Sequence, residues 1–466
     1  MTPKSVIAIF DIGKTNKKLF LFDEQYSIVL EKSKQFPETA DEDGDPCEDL
    51  PALTQWVKDQ LQEVISQEGV LVKAVNFSTY GASFVHIDRQ GRPVAPLYNY
   101  LKPFPDRLKE QFFSLYGDEA FFSLQTASPP LGNLNSGLQL YMLKWVKPDL
   151  FERVRYSLHL PQYMNYLVSG IPYSDITSIG CHTGLWDFAA SDYHPWVSAE
   201  EIDGRLAPLF PSDQLMPAEW GPYKLLAGVG LHDSSAALIP YLSYITEPFV
   251  LISTGTWCIT LNPFNQTGLI STELQQDCLC YMEYRGKPVK ASRLFAGYDH
   301  EQQIKRLADH FDVPADHYKT VQFDPALVAR LHLQMPDVDL HSNGQVTTLM
   351  PESRFARRQL GQFDSYALAY HQLIRDLMVQ QVASTGLVMQ EGTTEKIFVD
   401  GGFSRNPVYM NLLAAAYPGL DIYAASVAQA SAIGAAMAVH PHWNRGALPA
   451  DLIHLKHYPA NRAVNL

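Results

Sequence analysis

The sequence predicts an α/β protein made of two similar domains, and three observations lead to this expectation. Strand-forming apolar runs alternate with segments whose apolar residues recur at helical spacing. A plan of strand, glycine turn and strand occurs twice, at residues 5–22 and 249–261, about half a chain apart. The chain of 466 residues is also too long for one hydrophobic core. We therefore expect a duplicated architecture with a shared cleft.

Composition narrows the class of protein. Apolar residues make up 46% of the chain and charged residues 18%, which is typical of a globular protein with a large core. The formal net charge of -14 disfavours binding to a nucleic-acid backbone. Five cysteines without a regular framework suit a reducing compartment, and we interpret Cys278 and Cys280 as buried or incidental thiols. No apolar run is long enough to cross a membrane, so a soluble, cytoplasmic monomer or homodimer is expected.

Two glycine turns rich in hydroxyl groups are candidates for phosphate binding. The first strand leads into D-I-G-K-T-N-K-K at residues 11–18, and the strand at 249–252 leads into S-T-G-T at residues 253–256. Such turns expose backbone N–H groups and hydroxyls that suit a phosphate. Ordinary hairpins have the same local pattern, so the motif alone leaves both readings open.

A lone acid precedes the second turn. Asp233 lies in the small-residue segment H-D-S-S-A, shortly before the strand at 249–252. Another polar segment, S-T-Y-G-A-S at residues 78–83, follows the strand predicted at 70–77, at the end where open α/β sheets bind ligands. This order indicates a group-transfer enzyme in which the acid acts on a hydroxyl and the turn binds a nucleotide.

The remaining chain supports this division into domains. Helices are predicted at 53–65, 137–146, 159–170 and 364–386, a domain change at about 241–248, and hence domains at 1–244 and 245–466. We interpret residues 38–49 as a solvated acidic loop without calcium-binding spacing, and residues 90–135 as an irregular lobe. The second domain carries a long insertion at 262–354, in which residues 290–307 begin as a loop and become an amphipathic helix.

A third glycine motif stands near the C-terminus. The strand predicted at 396–399 ends in D-G-G-F-S-R-N-P, where Gly401 and Gly402 leave room for a flat group to approach the backbone. Asn406 is a good helix N-cap, and Pro407 suits the first helical position. A further helix at 428–439 is rich in alanine and contains Gly434, so close packing against a neighbour is expected.

Together these segments resemble the FGGY family of carbohydrate kinases, from Asp11 to about Met437 and in the expected order. D-I-G-K-T-N-K-K resembles the first phosphate motif of that family, S-T-G-T-W the second, and D-G-G-F-S-R-N the adenosine motif. Q-A-S-A-I-G-A-A resembles the small-residue helix that flanks the nucleotide. The resemblance implies two actin-like, ribonuclease H-like domains with the active site in the cleft between them. It also implies that ATP and Mg²⁺ are used to phosphorylate a sugar.

Carried over by position, the resemblance implies a role for each motif residue. Asp233 would be the general base on the sugar hydroxyl, and Asp11 would hold Mg²⁺ through water. The expected phosphate and ATP contacts are Gly13, Thr15, Asn16, Lys18, Thr254, Gly255, Thr256, Gly401, Gly402 and Asn406. The expected substrate contacts are Thr79, Tyr80, Gly81 and His232.

One departure and one choice of acceptor follow from the same motifs. Lys14 stands where the family usually has a small or hydroxyl residue, and it either faces solvent or strengthens phosphate binding. His232 before the acid and Trp257 after the second turn resemble the rhamnulose and fuculose kinases, which implies a 6-deoxyketohexose. Tyr80, His86, Tyr163 and the aromatic stretch 97–104 are candidate sugar contacts. The alternatives are xylulose, ribulose or glycerol as acceptor, or an actin-like ATPase or sensor without sugar kinase activity.

Overall fold

The computed structural model of the protein describes residues 3–334, 353–390, 392–427 and 429–460. Its strands, in chain order, are β1 (Lys4–Ile12), β2 (Lys17–Asp23), β3 (Ile28–Lys34), β4 (Thr39–Ala40), β5 (Pro46–Cys47), β6 (Val70–Thr79), β7 (Phe84–Ile87), β8 (Tyr156–His159), β9 (Trp186–Asp187), β10 (Asp192–Tyr193), β11 (Leu215–Trp220), β12 (Tyr223–Gly228), β13 (Leu231–His232), β14 (Phe249–Thr254), β15 (Cys258–Asn262), β16 (Cys278–Met282), β17 (Pro288–Leu294), β18 (Lys396–Gly401), β19 (Asp421–Ser426) and β20 (His454–Tyr458).

The α-helices, in chain order, are α1 (Leu50–Ile65), α2 (Asp106–Tyr116), α3 (Glu119–Thr126), α4 (Ser136–Val146), α5 (Pro148–Arg153), α6 (Leu160–Ser169), α7 (Ile176–Ile179), α8 (Trp196–Ala199), α9 (Asp233–Tyr244), α10 (Ser271–Gln275), α11 (Ala296–Phe311), α12 (Pro325–Gln334), α13 (Tyr366–Val388), α14 (Pro407–Ala416), α15 (Ala430–Ala438) and α16 (His440–Trp443). None of the helices in the described ranges combines the length and the apolar character that a membrane span requires.

The described residues form two compact units. The first unit comprises Met1–Tyr244, Cys280–Pro288 and Ala428–Leu452, and the second comprises Ile245–Leu279, Val289–Val427 and Ile453–Leu466. The chain thus passes from one unit to the other after Tyr244, within the segment where the sequence predicts a domain change. Two later segments return to the first unit, so that it contains α15, which the sequence reading assigned to the C-terminal domain.

The first unit is built on a mixed sheet with the order β11-β12-β6-β1-β2-β3, and β13 also pairs with β6. β1 is antiparallel to β2 and parallel to β6, so the turn after β1 and the end of β6 lie at one edge. Apolar residues of β1, including Val6, Ala8 and Phe10, pack into a core with α1 and α6. The second unit repeats this plan with the order β16-β17-β15-β14-β18-β19-β20. There β14 is antiparallel to β15 and parallel to β18.

Two expectations from the sequence differ from the structure. The region 90–135, predicted to be irregular, contains α2 and α3. Its helices pack aromatic residues such as Phe112 and Phe122 into a separate core, which their sequence spacing did not reveal. Residues 288–294, part of which was predicted as loop, form β17 at the edge of β15. Part of the predicted insertion at 262–354 lies outside the described residues.

The acidic segment 38–49 is largely exposed, as its composition predicts, but ion pairs that composition does not reveal hold it in place. Asp41 is buried and accepts hydrogen bonds from the backbone N–H groups of Asp43 and Asp45. The Nζ of Lys102 lies 2.6 Å from the carboxylates of both Asp41 and Asp45, and Lys147 pairs with Asp43 at 2.7 Å. Two lysines from a distant part of the chain thus offset part of the negative charge of the segment, a pairing that composition alone does not reveal.

Candidate active site

The first glycine turn is a four-residue connection between β1 and β2. Ile12 pairs with Lys17 across the two strands, and Gly13 donates its backbone N–H to the carbonyl of Asn16 at 2.9 Å. Thr15 and Asn16 are exposed at the tip of the turn. The amide of Gln35 donates to the side-chain oxygen of Asn16 at 2.7 Å. The turn therefore carries an exposed hydroxyl residue, Thr15, at its tip, which suits a phosphate site.

Asp11 stands at the base of this turn. Its carboxylate accepts a hydrogen bond of 3.0 Å from the hydroxyl of Ser431, the second residue of α15. Burial and, to a smaller extent, the negative charge of Asp233 raise the pKa of Asp11 to about 6, against the lowering effects of Ser431 and Lys18. Asp11 and Asp233 are thus close enough to repel each other, and Lys18 is close enough to compensate.

Lys18 emerges from β2 beside Asp11. Its Nζ donates to the side-chain oxygen of Gln429 at 3.2 Å and lies 3.4 Å from the carboxylate of Glu31. The side chain is 27% exposed, so the ammonium group remains accessible to a ligand. A cation placed next to two carboxylates can hold a phosphoryl group against their repulsion.

Asp233 begins α9, so its carboxylate lies at a helix N-terminus. Its Oδ1 accepts a hydrogen bond of 2.6 Å from the backbone N–H of Ser234 and one of 3.3 Å from the hydroxyl of Ser234. The Nε2 of His232 lies 3.4 Å from the same oxygen. The carboxylate is 37% exposed, which leaves it open to a substrate hydroxyl.

His232 is a buried, neutral neighbour of this acid. Burial lowers the pKa of His232, although the charge of Asp233 opposes the effect. The imidazole is packed so closely against Gly81 that a Cβ on that glycine would lie 2.8 Å from the ring. The structure therefore brings Gly81, His232 and Asp233 together, and glycine is required at position 81 by this contact.

The other residues of the 78–81 motif use their hydroxyls inside the protein. Thr79 is fully buried and donates to the carbonyl of Tyr80 at 2.9 Å. The hydroxyl of Tyr80 donates to Glu48 at 2.6 Å. The two candidates outside the motif, His86 and Tyr163, are both buried, and their side chains bond to Ser157 at 2.8 Å and to Thr54 at 3.1 Å, respectively. In this arrangement those two residues belong to the core of the unit.

Close packing of α15 against α9 supports the position of Asp233. A Cβ on Gly434 would lie 1.8 Å from the carbonyl oxygen of Ala236, so only glycine permits this approach. The carbonyl of the next residue, Ala435, accepts a hydrogen bond of 2.8 Å from Asn76 on β6. The close packing expected for this helix is confirmed, and it brings Gln429 and Ser431 to Lys18 and Asp11.

In the second unit, Thr254 joins the second glycine turn to the third glycine motif. Its backbone carbonyl accepts from the N–H of Gly402 at 2.9 Å, and its hydroxyl accepts from the N–H of Phe403 at 3.0 Å. Gly401 has a φ of +87°, and a Cβ there would lie 1.9 Å from the Thr254 carbonyl oxygen. Thr254 is buried, whereas Gly255 and Thr256 are exposed at the turn. Thr254 and Gly401 therefore shape the backbone of the site.

A pocket of about 660 Å³ opens beside this junction. Of the residues expected to bind ATP, Thr254, Gly255, Gly402 and Asn406 line it, while Gly401 and Thr256 are not among its lining residues. The other lining residues are Gly297, His300, Tyr318, Lys319, Phe403, Arg405 and Pro407. A mixture of aromatic, backbone and cationic groups in one pocket suits a flat base joined to an anionic group.

Both ends of the Asn406 side-chain amide form hydrogen bonds within the protein. Its Oδ1 accepts from the backbone N–H groups of Val408 and Tyr409 at 3.1 and 3.2 Å, which caps α14 as expected. Its Nδ2 donates to the hydroxyl of Tyr370 at 2.8 Å, and that hydroxyl lies 3.0 Å from His300 Nε2. Asn406 thus positions the wall of the pocket through Tyr370 and His300.

Sequence reasoning missed several residues of these sites. Ser431 and Gln429 lie in a motif that was recognised, but no local pattern indicates that they contact Asp11 and Lys18. Gly297 was missed as well, although a Cβ there would lie 1.8 Å from the carbonyl oxygen of Gly255. The glycine in F-A-G-Y directly after β17 was the signal available for it. Within the described parts of the chain, no three or more acidic, histidine or cysteine residues form a group that could hold a metal ion.

Comparison with known proteins adds independent information. Residues 6–200 match the sequence model for the N-terminal domain of the FGGY family of carbohydrate kinases, and residues 246–446 match that for its C-terminal domain. A rhamnulokinase of Mannheimia succiniciproducens is 23% identical over 92% of this chain and 88% of its own length. A rhamnulokinase of Pectobacterium atrosepticum is 22% identical over 93% of this chain and 87% of its own.

Solved structures confirm the predicted fold class of two actin-like α/β domains. A carbohydrate kinase from Novosphingobium aromaticivorans superposes with a TM-score of 0.79 at 22% identity, covering 99% of this chain and 95% of its own. A ligand-bound xylulose kinase from Lactobacillus acidophilus gives a TM-score of 0.76 at 14% identity, covering 98% and 94%. At such identities the likeness establishes the fold and leaves the acceptor open.

Proposed function

Because the chain belongs to the FGGY family of carbohydrate kinases, it is a carbohydrate kinase, and we propose that it transfers the γ-phosphate of ATP to a hydroxyl of a 6-deoxyketohexose such as L-rhamnulose or L-fuculose. The observation that carries the proposal is the convergence of Asp233, Asp11 and Lys18 within one unit. The electrostatic coupling of the three groups supports this convergence. The base would act on the acceptor hydroxyl, while the metal-binding carboxylate and the phosphate-binding cation would act on the phosphates of ATP.

In the proposed reaction Asp233 removes the proton from the attacking hydroxyl of the sugar. That oxygen forms a bond to the γ-phosphorus while the bond between this phosphorus and the β–γ bridging oxygen breaks, and ADP leaves. His232 is a positioning residue, because its neutral imidazole lies against the Asp233 carboxylate. Phosphoryl transfer depends mainly on alignment and on stabilising the charge, which few groups can supply.

Donor binding is proposed for both glycine turns. The exposed turn of residues 13–16 and the side chain of Lys18 would contact the phosphates, and the pocket lined by Gly255, Gly402 and Asn406 would take the nucleoside. Gly402 is exposed and has no other atom within 4 Å of an added Cβ except the Thr254 carbonyl oxygen at 4.0 Å. This open space supports its assignment to the donor site.

The residues fit a magnesium ion held mainly by water. Mg²⁺ commonly takes one or two carboxylates, substrate phosphates and several waters, so the absence of a larger ligand cluster in the described residues agrees with that mode. Burial is the main cause of the raised pKa of Asp11, and the charge of Asp233 adds to it; a divalent cation would relieve the repulsion between the two carboxylates. When bound, Mg²⁺ would neutralise charge on the phosphates of ATP.

The identity of the acceptor sugar is the more specific part of the proposal. It is supported by the resemblance of H-D-S-S-A and S-T-G-T-W to the rhamnulose and fuculose kinases, and by two relatives that are named rhamnulokinases. Tyr100 belongs to the aromatic stretch 97–104, which would contact the methyl group of a deoxy sugar, and its ring packs against that of the buried Tyr80 with the centroids 6.4 Å apart.

A coupled assay of ADP release tests the proposal. The purified protein is assayed with L-rhamnulose, L-fuculose, D-xylulose, L-ribulose and glycerol, with Asp233→Ala as the control for background ATP hydrolysis. We expect the highest kcat/KM with one of the two deoxyketoses, and product analysis should identify its 1-phosphate. A kcat/KM for xylulose or glycerol at least tenfold above that of both deoxyketoses would overturn the assignment of the acceptor. ADP release that no added sugar stimulates would overturn the assignment of kinase activity.

A further inference from the structure

Lys14 differs from what the family motif calls for, and its side chain contacts other residues than that of Lys18 does. It lies in the turn between β1 and β2, and its side chain is 29% exposed. The Nζ lies 3.2 Å from Glu38 and 3.9 Å from Glu48. Lys18, by contrast, reaches Gln429 and Glu31. Lys14 and Lys18 therefore contact different parts of the unit.

Two tyrosine rings form the floor beneath the Lys14 ammonium group. Its Nζ is 5.7 Å from the ring centroid of Tyr80 and 6.0 Å from that of Tyr100, within the range of cation–π attraction. Tyr80 belongs to the segment that ends β6, and the next residue, Gly81, is packed against His232. The ammonium group thus lies on the side of the unit where the acceptor is proposed to bind.

A buried network holds the backbone of Lys14 in place. Lys17 is 1% exposed, donates to the carbonyl oxygen of Lys14 at 2.8 Å and pairs with Glu48, which is 6% exposed. Tyr80 donates to the other oxygen of Glu48 at 2.6 Å. Loss of the Lys14 side chain removes none of these three bonds, so the turn should keep its shape in a variant.

The proposed base faces the same cluster. Burial raises the pKa of Tyr100, and the negative charges of Asp233, Glu38 and Glu48 raise it further. The hydroxyl of Tyr100 is therefore within electrostatic reach of the base and of both carboxylates that hold Lys14. Lys14 and Lys17 together balance the charges of Glu38 and Glu48, so the cluster offers hydrogen-bond donors without net positive charge.

We propose that Lys14 is an acceptor-binding residue, whose ammonium group donates a hydrogen bond to a hydroxyl or carbonyl oxygen of an uncharged sugar lying over Tyr80 and Tyr100. The inference rests on the proposed function and adds to it a contact that the family motif does not provide. A balanced cluster beside an acidic base suits a neutral polyhydroxylated acceptor better than a sugar acid. Lys18 remains the phosphate-binding lysine of the turn.

Steady-state kinetics of Lys14→Met, Lys18→Met and Lys32→Met separate the roles. Lys32 is a matched control, since it is also 29% exposed and also paired with a glutamate, Glu63. A charge-assisted hydrogen bond to a substrate typically accounts for about a tenfold or larger change in affinity. We expect Lys14→Met to raise the KM for the sugar at least tenfold and to change the KM for ATP less than threefold. Lys18→Met should act mainly on ATP, and Lys32→Met on neither.

Sugar analogues that each lack one hydroxyl identify the contact itself. One analogue should lose at least tenfold in kcat/KM with the wild-type enzyme and less than threefold with Lys14→Met, because the bond is already absent in the variant. If Lys14 had only a structural role, Lys14→Met would lower the midpoint of thermal unfolding and would lower kcat/KM equally for all analogues. An unchanged sugar KM in Lys14→Met, a rise in the KM for ATP of the same size, or equal losses for every analogue would each overturn the inference. Wild-type protein that phosphorylates no sugar would refute the proposed function and this inference with it.

Discussion

Gly402→Val tests the donor pocket with little risk to the fold. Gly402 has φ −63° and ψ −47°, a conformation that valine adopts without strain, and the nearest atom to an added Cβ is 4.0 Å away. The new side chain would therefore enter the pocket that Gly402 lines. We expect the free energy of unfolding to change by less than about 0.5 kcal/mol, as for most substitutions that disturb no contact.

The effect on nucleotide binding should be much larger. Placing extra methyl groups where a ligand must pack costs about 1–3 kcal/mol, which corresponds to roughly a 5- to 150-fold rise in the Kd for ADP. Gly402→Ala is the matched control, because a single Cβ fills far less of the pocket of about 660 Å³ and should weaken binding less.

Isothermal titration calorimetry with ADP measures both variants, and thermal unfolding verifies that each is folded. Gly401→Ala provides a contrast, since its Cβ would lie 1.9 Å from the Thr254 carbonyl oxygen and should destabilise the unit itself. A Kd for ADP within twofold of wild type in folded Gly402→Val would refute the placement of the nucleoside in this pocket.

Three further predictions concern the other unit. Asp233→Ala should lower kcat by about 10²–10⁴-fold while ADP binding in calorimetry is retained. A variant with half the activity of the wild type would exclude Asp233 as the base. Asp11→Asn should raise the Mg²⁺ concentration for half-maximal activity at least tenfold. In wild type that concentration should rise as pH falls through about 6, where Asp11 takes up a proton and ceases to attract the cation, and a pH dependence that persists in Asp11→Asn would contradict this. Gly434→Ala should lower the free energy of unfolding by about 1–3 kcal/mol and reduce kcat, since its Cβ would lie 1.8 Å from the Ala236 carbonyl oxygen. Urea unfolding should show no such loss in the control Gly204→Ala, where no atom lies within 4 Å, and equal stability of both variants would argue against the close packing.

Features that depend on neighbours along the chain were predictable from the sequence. The two strand–turn–strand hairpins and the N-cap of Asn406 follow from backbone geometry over a few residues. The order of these local motifs was sufficient to indicate the family and its duplicated fold, which the family matches and the superpositions confirm.

Contacts between distant parts of the chain were not predictable in this way. The ion pairs of the acidic segment at 38–49 have no local signature, because the partner Lys102 lies some 60 positions further on. The surroundings of Lys14 were not predictable for a similar reason, since Glu48, Tyr80 and Tyr100 reach it only through the fold. Two candidate sugar contacts, His86 and Tyr163, proved to be core residues, because side-chain chemistry alone does not indicate burial.

The sequence by itself determined which chemical groups this protein carries and in what order, because turns, caps and strands are encoded locally. Only the tertiary structure decided which of those groups meet. Ser431 reaches Asp11 across 420 positions, and this contact depends on Gly434 letting α15 approach α9. Such a contact has no local signature, since its free energy comes from packing between elements that are far apart in the chain.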